Sequence, residues 1–230
     1  MKRAILFCLA ALVAPIAAQA AERTYSISDF ERIRVIGPFR VDVVADRMTT
    51  ARAKGSNDAL DRVRLDVQGR TLTIRLDRSG LGSSDLKGPP ATVTIKAPAL
   101  REAALAGSGV LTLSGMKGLR VGVILEGSGQ VSASNIQADR LDVAAIGTGT
   151  IGLAGAARSA TVTSKGTASV NGDGLATDDL AVTWESGGDG AFAARRTAKV
   201  TSIGTGNVTV AGKPACTVAN GGNGQVSCGE

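Results

Sequence analysis

The stretch GSGVLTLSG runs from Gly107 to Gly115. It is followed by GSGQVSASN (Gly127–Asn135) and then by GTGTIGLAG (Gly147–Gly155). The first glycines of these and the later motifs form the series Gly107, Gly127, Gly147, Gly166, Gly188, Gly204 and Gly222. The series advances by 20, 20, 19, 22, 16 and 18 residues. A period near 20 marks an architecture of stacked repeats, each leaning on its neighbours.

The columns around these anchors give the conformation. Four residues after each stand Leu111, Val131, Ile151, Val170, Phe192, Val208 and Val226, and four before stand Ala103, Val123, Val143, Val162, Trp184, Val200 and Val218. All are apolar. Most positions between are Thr, Ser, Gly, Asn, Ala or charged. Apolar residues at period two mean strands, with alternate side chains on opposite faces. Two short strands per repeat cannot bury a face alone. Stacked coil on coil, they pair with their equivalents and fill a common lumen. The sequence therefore predicts an all-β chain folded as a parallel β-helix with coils of about 20 residues.

Each coil must then turn sharply between its two strands. Glycine reaches positive φ without a Cβ clash and leaves room for the coils above and below. The corner glycines of this reading are Gly107 and Gly109, Gly127 and Gly129, Gly147 and Gly149, and Gly166. They continue as Gly188 and Gly190, Gly204 and Gly206, and Gly222 and Gly224. A phosphate cradle would need a helix after the glycines, but a strand pattern follows. GGDGAF (Gly187–Phe192) and GGNGQV (Gly221–Val226) resemble the opening of a calcium-binding β-roll repeat. Phe192 and Val226 stand where that repeat needs aspartate, so it is rejected. A single calcium site near Asp173, Asp178, Asp179 or Asp189 stays open as an alternative.

The register extends toward the N-terminus. In RIRVIGPFRVDVVA (Arg32–Ala45), Ile33 and Val35 precede Gly37, and Val41 and Val43 follow at the same offsets. RVRLDVQGRTLTIRL (Arg62–Leu76) slips phase by one, as a hairpin or an irregular coil would. LGSSDLKGPP (Leu81–Pro90) reads as a loop. One continuous domain is expected over residues 21–230, with irregular coils at 27–100 and regular coils at 101–228. Trp184 reads as core in the column of Val162 and Val200, with sugar stacking as the alternative.

Lys2 and Arg3, the apolar run Ala4–Val13 and Ala18-Gln19-Ala20 have the form of a secretory signal over residues 1–20, cleaved before Ala21. Cys8 suggests a lipidated cysteine, but Phe7 precedes it where a small residue is needed. No later run has the length of a bilayer span. An exported chain permits a disulfide between Cys216 and Cys228. Both fall in inward columns, six residues either side of Gly222, so a bridge would close the last coil; two free thiols are the alternative.

The chain has no histidine, which removes histidine-based acid–base, nucleophile and metal chemistry. One Trp and one Tyr are too few for a stacking platform. No catalytic, cofactor-binding or metal-binding residues are assigned, and no cofactor is expected. The net charge of +6 is uneven. Residues 22–101 carry 15 Lys and Arg against 10 Asp and Glu, whereas residues 102–230 carry 9 against 10. For an exported chain the anionic partner this suggests is an envelope glycan or glycolipid, not nucleic acid. A solvated basic surface without a partner is the plainer reading.

FERIRVIGPFRVDVVADRM (Phe30–Met48), RLDVQGRTLTIRL (Arg64–Leu76) and the serial GSG and GTG coils resemble the auto-transporter adhesin head GIN domain family of bacterial envelope proteins. The ending PACTVANGGNGQVSCG (Pro214–Gly229) is similar to the cysteine-closed ending of proteobacterial members. The resemblance implies an exported, right-handed β-helix and no catalytic residues. The function expected is a non-enzymatic, adhesin-like binding module, periplasmic or at the cell surface. The alternatives are a polysaccharide-active β-helix enzyme and a structural envelope protein that self-associates.

Overall fold

The computed structural model of the chain describes residues 21–77 and 89–229. The leader, Cys8 and most of the Leu81–Pro90 loop lie outside the described residues. The N-terminal part holds β1 (Ala21–Tyr25), β2 (Arg32–Ile36), β3 (Arg40–Ala45), β4 (Thr50–Gly55), α1 (Asn57–Asp61), β5 (Val63–Gln68), β6 (Thr71–Leu76) and β7 (Thr92–Ala97). The regular part begins with β8 (Glu102–Gly107), β9 (Val110–Ser114), β10 (Lys117–Gly127), β11 (Gln130–Gly147), β12 (Thr150–Gly166) and β13 (Ser169–Ser186). It ends with β14 (Gly190–Ala193), β15 (Thr197–Ser202), β16 (Val208–Ala211), β17 (Ala215–Asn220) and β18 (Val226–Cys228). All the strands join one sheet wound into a parallel β-solenoid of about 20-residue coils.

The regular coils hold their columns in register. Val123, Val143, Val162, Val182 and Val200 pair in succession from β10 to β15, and none is more than 4% exposed. Each such side chain contributes about 1.5–3 kcal/mol relative to exposure. The coil has a third wall that the two-strand reading missed. The strand turns at Gly115, at Asn135 (φ 54°) and at Gly155, and then places Met116, Ile136, Ala157 and Leu175 inside. Asn135 tolerates the left-handed conformation, and its side chain donates to Ser114 Oγ at 3.1 Å.

One column assignment is corrected. Val182, not Trp184, continues the Val162–Val200 column, and Trp184 lies between Ser164 and Ser202. The residue equivalent to Gly166 is Ser186, so Gly188 is not the corner of its coil. The advance is 20 residues to Ser186 and 18 onward to Gly204, which removes the apparent 22 and 16. Phe192 pairs with Gly172 and Val210, and Gly190 takes the place between Val170 and Val208. The reason is volume. The indole fills the lumen at this corner and donates Nε1–H to the Gly188 carbonyl at 3.0 Å. A Cβ on Gly190 would stand 2.9 Å from the indole, and one on Gly172 would stand 3.0 Å from the Phe192 ring. Trp184 and Phe192 meet edge to face at 6.0 Å.

The corner glycines also divide into two kinds. Gly107, Gly127, Gly147 and Gly166 have positive φ, whereas Gly204 and Gly222 do not. The second glycines serve close approach: a Cβ on Gly129 would lie 2.6 Å from the Gly109 carbonyl oxygen. Polar side chains brace three of the corners by donating to a carbonyl four residues on. These bonds are Ser164 to Ala168 at 3.3 Å, Trp184 to Gly188, and Asn220 to Gly224 at 2.8 Å. Ser202 occupies the same column, is fully buried, and its hydroxyl has no partner among the described residues.

The N-terminal end is not a simple continuation. β2 and β3 pair with β8 and β9 on one side, and with β6 and β7 on the other. The layer formed later in sequence thus lies outside the earlier one. β5 closes against β6 as an antiparallel hairpin, and β4 and β1 add antiparallel beyond β7. Leu60 of α1 is 2% exposed and plugs this end. At the other end Cys216 and Cys228 form a disulfide with Cα atoms 6.3 Å apart. Cys216 is exposed rather than enclosed, because no described coil covers its column.

Two expectations follow for urea unfolding. Trp184→Ser and Gly190→Val each destabilise, by about 2–4 kcal/mol, by emptying and by overfilling one volume. The double variant restores the side-chain pair of the adjacent coils, Ser with Val, and recovers at least ~1 kcal/mol of their sum. Ser202→Ala raises stability by about 1 kcal/mol, because it removes a buried hydroxyl without a partner.

Candidate binding face

Side-chain alternation builds a charged face on the outer wall near the N-terminal end. In β2, Ile33 and Val35 point into the lumen, so Arg32 and Arg34 project outward. In β6 the same rule sends Leu72 and Ile74 inward and Arg75 outward. Pairing of β6, β2, β8 and β10 sets these residues beside Glu102, Ala104, Ile124 and Glu126. A groove of about 660 Å³ runs across this wall, bounded by Arg32, Glu31, Arg101, Arg120 and Asp142, with Ile124 and Ala144 on its floor.

The ion pairing in the groove is unequal. Glu31 Oε1 lies 2.7 Å from Arg70 and 3.7 Å from Arg101. Asp142 lies 2.8 Å from Arg140 and 3.6 Å from Arg120. Two carboxylates are thus shared among four guanidiniums. Arg32, Arg34 and Arg75 have no carboxylate within ion-pair distance among the described residues. Glu102 and Glu126 also lie on this face and reduce its positive charge without closing on these arginines.

A hydrolase would use this groove differently. Glu31, Glu102 and Asp142 all line it. Glu31 and Asp142 stand between paired arginines, not in the apolar enclosure that makes a general acid. Glu102 and Asp142 share a column with Gly122 between them. Three of the four aspartates considered for calcium, Asp178, Asp179 and Asp189, are likewise engaged. Asp178 faces Arg195 at 3.8 Å, and Asp189 accepts the Asn207 N–H at 2.9 Å. Asp179 accepts the Thr197 hydroxyl at 2.7 Å and pairs with Arg196. The Thr197 bond, then Arg196, hold its carboxyl below its ordinary value. Among the described residues no three acidic or cysteine side chains converge as metal ligands.

The glycines and cysteines singled out in the sequence do not belong to this face. The glycines line one edge of the solenoid and the cysteines close its far end, so their roles are architectural. The arginines were visible only as a regional charge excess. Their alternation in RIRVI and TLTIRL is the local signal, but the pairing of β2 with β6 is needed to bring them together.

The sequence profile of the family described as "Putative auto-transporter adhesin, head GIN domain" matches residues 29–214. No curated protein matches the chain. Among solved structures, a "putative adhesin" from Bacteroides fragilis superposes with a TM-score of 0.80 at 19% identity, covering 92% of this chain and 97% of that one. A "putative lipid binding protein" from Parabacteroides distasonis gives 0.71 at 17% identity, covering 93% and 98%. A "putative adhesin" from Parabacteroides merdae gives 0.67 at 18%, covering 93% and 97%. These likenesses show a shared fold.

The Asp179 interaction predicts a pH signature. Its pKa is depressed in the folded state, so its contribution is present above the unfolded value and is lost as pH falls toward the folded one. Asp179→Asn should lower the melting temperature at neutral pH, and the difference should shrink as pH falls through the acidic range.

Proposed function

The chain belongs to the auto-transporter adhesin head GIN domain family, and from that premise we propose that it is a non-enzymatic binding module of the bacterial cell envelope. We propose further that its ligand is an anionic envelope glycan or glycolipid, held on the outer wall at the N-terminal end. The observation that carries this reading is the sharing of Glu31 and Asp142 among four arginines beside Arg32, Arg34 and Arg75, which have no carboxylate partner among the described residues. Such a wall attracts phosphate or carboxylate groups, and Ile124 and Ala144 offer apolar contact between them.

The solenoid suits this task physically. The arginines stand on hydrogen-bonded strands, so their spacing is fixed before binding and little backbone order remains to be gained. One structural neighbour is named for lipid binding and others for adhesion, and both roles are compatible with a charged wall. The leader read at residues 1–20 would deliver the module to the periplasm or the surface.

Binding of the purified chain to lipopolysaccharide, to an acidic polysaccharide, and to phosphatidylglycerol or phosphatidylcholine vesicles tests the reading and separates its sources of anion. Binding to an anionic probe should weaken steeply with salt, and Arg32→Glu with Arg34→Glu should reduce affinity by about tenfold or more. Binding indifferent to both changes, or polysaccharide cleavage by the chain, would overturn it.

A further inference from the structure

A second wall of the N-terminal coils has a face of its own, apart from the arginine groove. In β3, Val41 and Val43 are buried, so Arg40, Asp42 and Val44 point outward. In β4 and β7 the same alternation buries Ala51, Ala53, Val93 and Ile95 and exposes Arg52, Lys54, Thr94 and Lys96. Pairing of β3 with β7 and of β7 with β4 sets Val44, Lys96 and Thr50 in one row across the wall. Asp42, Thr94 and Arg52 form the next row. A cleft of about 410 Å³ opens here, bounded by Met48, Thr50, Arg52, Lys54, Thr94 and Lys96, with Glu22 and Asp46 at its margin.

The turn between β3 and β4 carries the apolar part of this face. It crosses the end of β7, where the Asp46 N–H donates to the Ala97 carbonyl at 3.0 Å. The Asp46 carboxylate accepts from Lys96 Nζ and from the Arg47 N–H, each at 2.6 Å, and the Thr49 hydroxyl donates to Asp29. The turn so fixed leaves Met48 71% exposed, and Val44 on the same wall is 44% exposed. Around them stand Arg40, Arg47, Arg52, Lys54 and Lys96 against Glu22, Asp42 and Asp46. Glu22 is shared between Arg52 at 3.6 Å and Lys54 at 3.5 Å, and Asp46 is taken by Lys96. Arg40 and Arg47 have no carboxylate within ion-pair distance among the described residues.

We propose that this wall docks the chain on a lipid bilayer with anionic headgroups. Met48 enters the interface, and Arg47, Arg52, Lys54 and Lys96 meet the phosphates. The mixture of side chains decides the occupant. A soluble polyanion would pair with the cations but leave Met48 and Val44 in water. An apolar protein patch would cover Met48 and Val44 but strip water from the surrounding cations. A bilayer interface offers hydrocarbon within reach of phosphate, and long basic side chains bridge that depth. The docking leaves the arginine groove open. Ile33 and Val35 of β2 and Val41 and Val43 of β3 enter one lumen from two walls, so the outward residues of those walls diverge. A flat surface against β3, β7 and β4 therefore does not cover Arg32 and Arg34.

Fluorescence of a Met48→Trp chain with phosphatidylglycerol vesicles brominated in their acyl chains tests the proposal. Emission from position 48 should shift to the blue and be quenched, whereas Trp184, enclosed in the lumen, should not respond. Met48→Asp, and Arg52→Glu with Lys54→Glu, should each lower partitioning onto phosphatidylglycerol vesicles by about tenfold. Met48→Asp should keep the parent melting curve, since the side chain is exposed. Phosphatidylcholine vesicles should produce no quenching. Adding Arg32→Glu and Arg34→Glu to the Met48→Trp chain should leave the quenching at saturating lipid intact, which separates this wall from the arginine groove. Failure of lipopolysaccharide or polysaccharide to bind would count against the groove alone. The docking wall is refuted by an unquenched position 48 at saturating phosphatidylglycerol, by equal quenching with phosphatidylcholine, or by undiminished partitioning of a folded Met48→Asp chain.

Discussion

The structure depends on how closely one coil lies on the next at the glycine corner. The ladder continues through the corner, with Ser128 donating to the Gly107 carbonyl at 3.1 Å, Thr148 to Gly127 at 2.9 Å, Thr167 to Gly147 at 2.8 Å and Gly187 to Gly166 at 2.8 Å. Strand spacing in a hydrogen-bonded sheet is about 4.8 Å, and the chain must reverse direction within it. A Cβ on Gly127 would stand 2.7 Å from the Gly107 oxygen, inside van der Waals contact. Glycine at these places keeps the walls in register, and register in turn aligns the lumen columns and the outward arginines.

That constraint explains which parts of the fold were legible in the sequence. Val123, Val143 and Val162 repeat because each rests on its predecessor, so a column in space is a period in sequence. The period misled at one coil, where Ser186 took the corner and the glycine motif moved two residues on. Gly188 there takes the place of the second corner glycine, against the Ala168 carbonyl, and Gly190 makes room for the Trp184 ring. The third wall escaped notice because its inward residues, Met116, Ile136, Ala157 and Leu175, mix sizes, and its turns use Asn135 as well as glycine. The exchange of layers at the N-terminus left no periodic trace, since β4, β5 and β1 pair antiparallel. The hairpin alternative for Val63–Leu76 was readable from its slipped phase alone.

The candidate face was only half legible for a related reason. Charge balance located an excess in residues 22–101, and alternation showed which arginines leave the lumen. Neither could show that Arg75 lies beside Ile36 and Arg34 beside Thr73, because that adjacency comes from the exchanged layer. The sharing of Glu31 by Arg70 and Arg101 likewise joins residues far apart in sequence. A smooth wall of small residues elsewhere, with Thr112, Ser132 and Thr209 pointing outward, makes this charged area stand out against its surroundings.

The sulfur bridge at the far end has a mechanical consequence. A solenoid pulled from one terminus would ordinarily peel one strand at a time, each rung carrying the whole load alone. Cross-linking β17 to β18 forces a pull applied beyond Gly229 to act on the β15–β17 and β16–β18 ladders together. The last coil then yields in shear as a closed loop rather than as an unravelling thread, which raises the tension the molecule withstands.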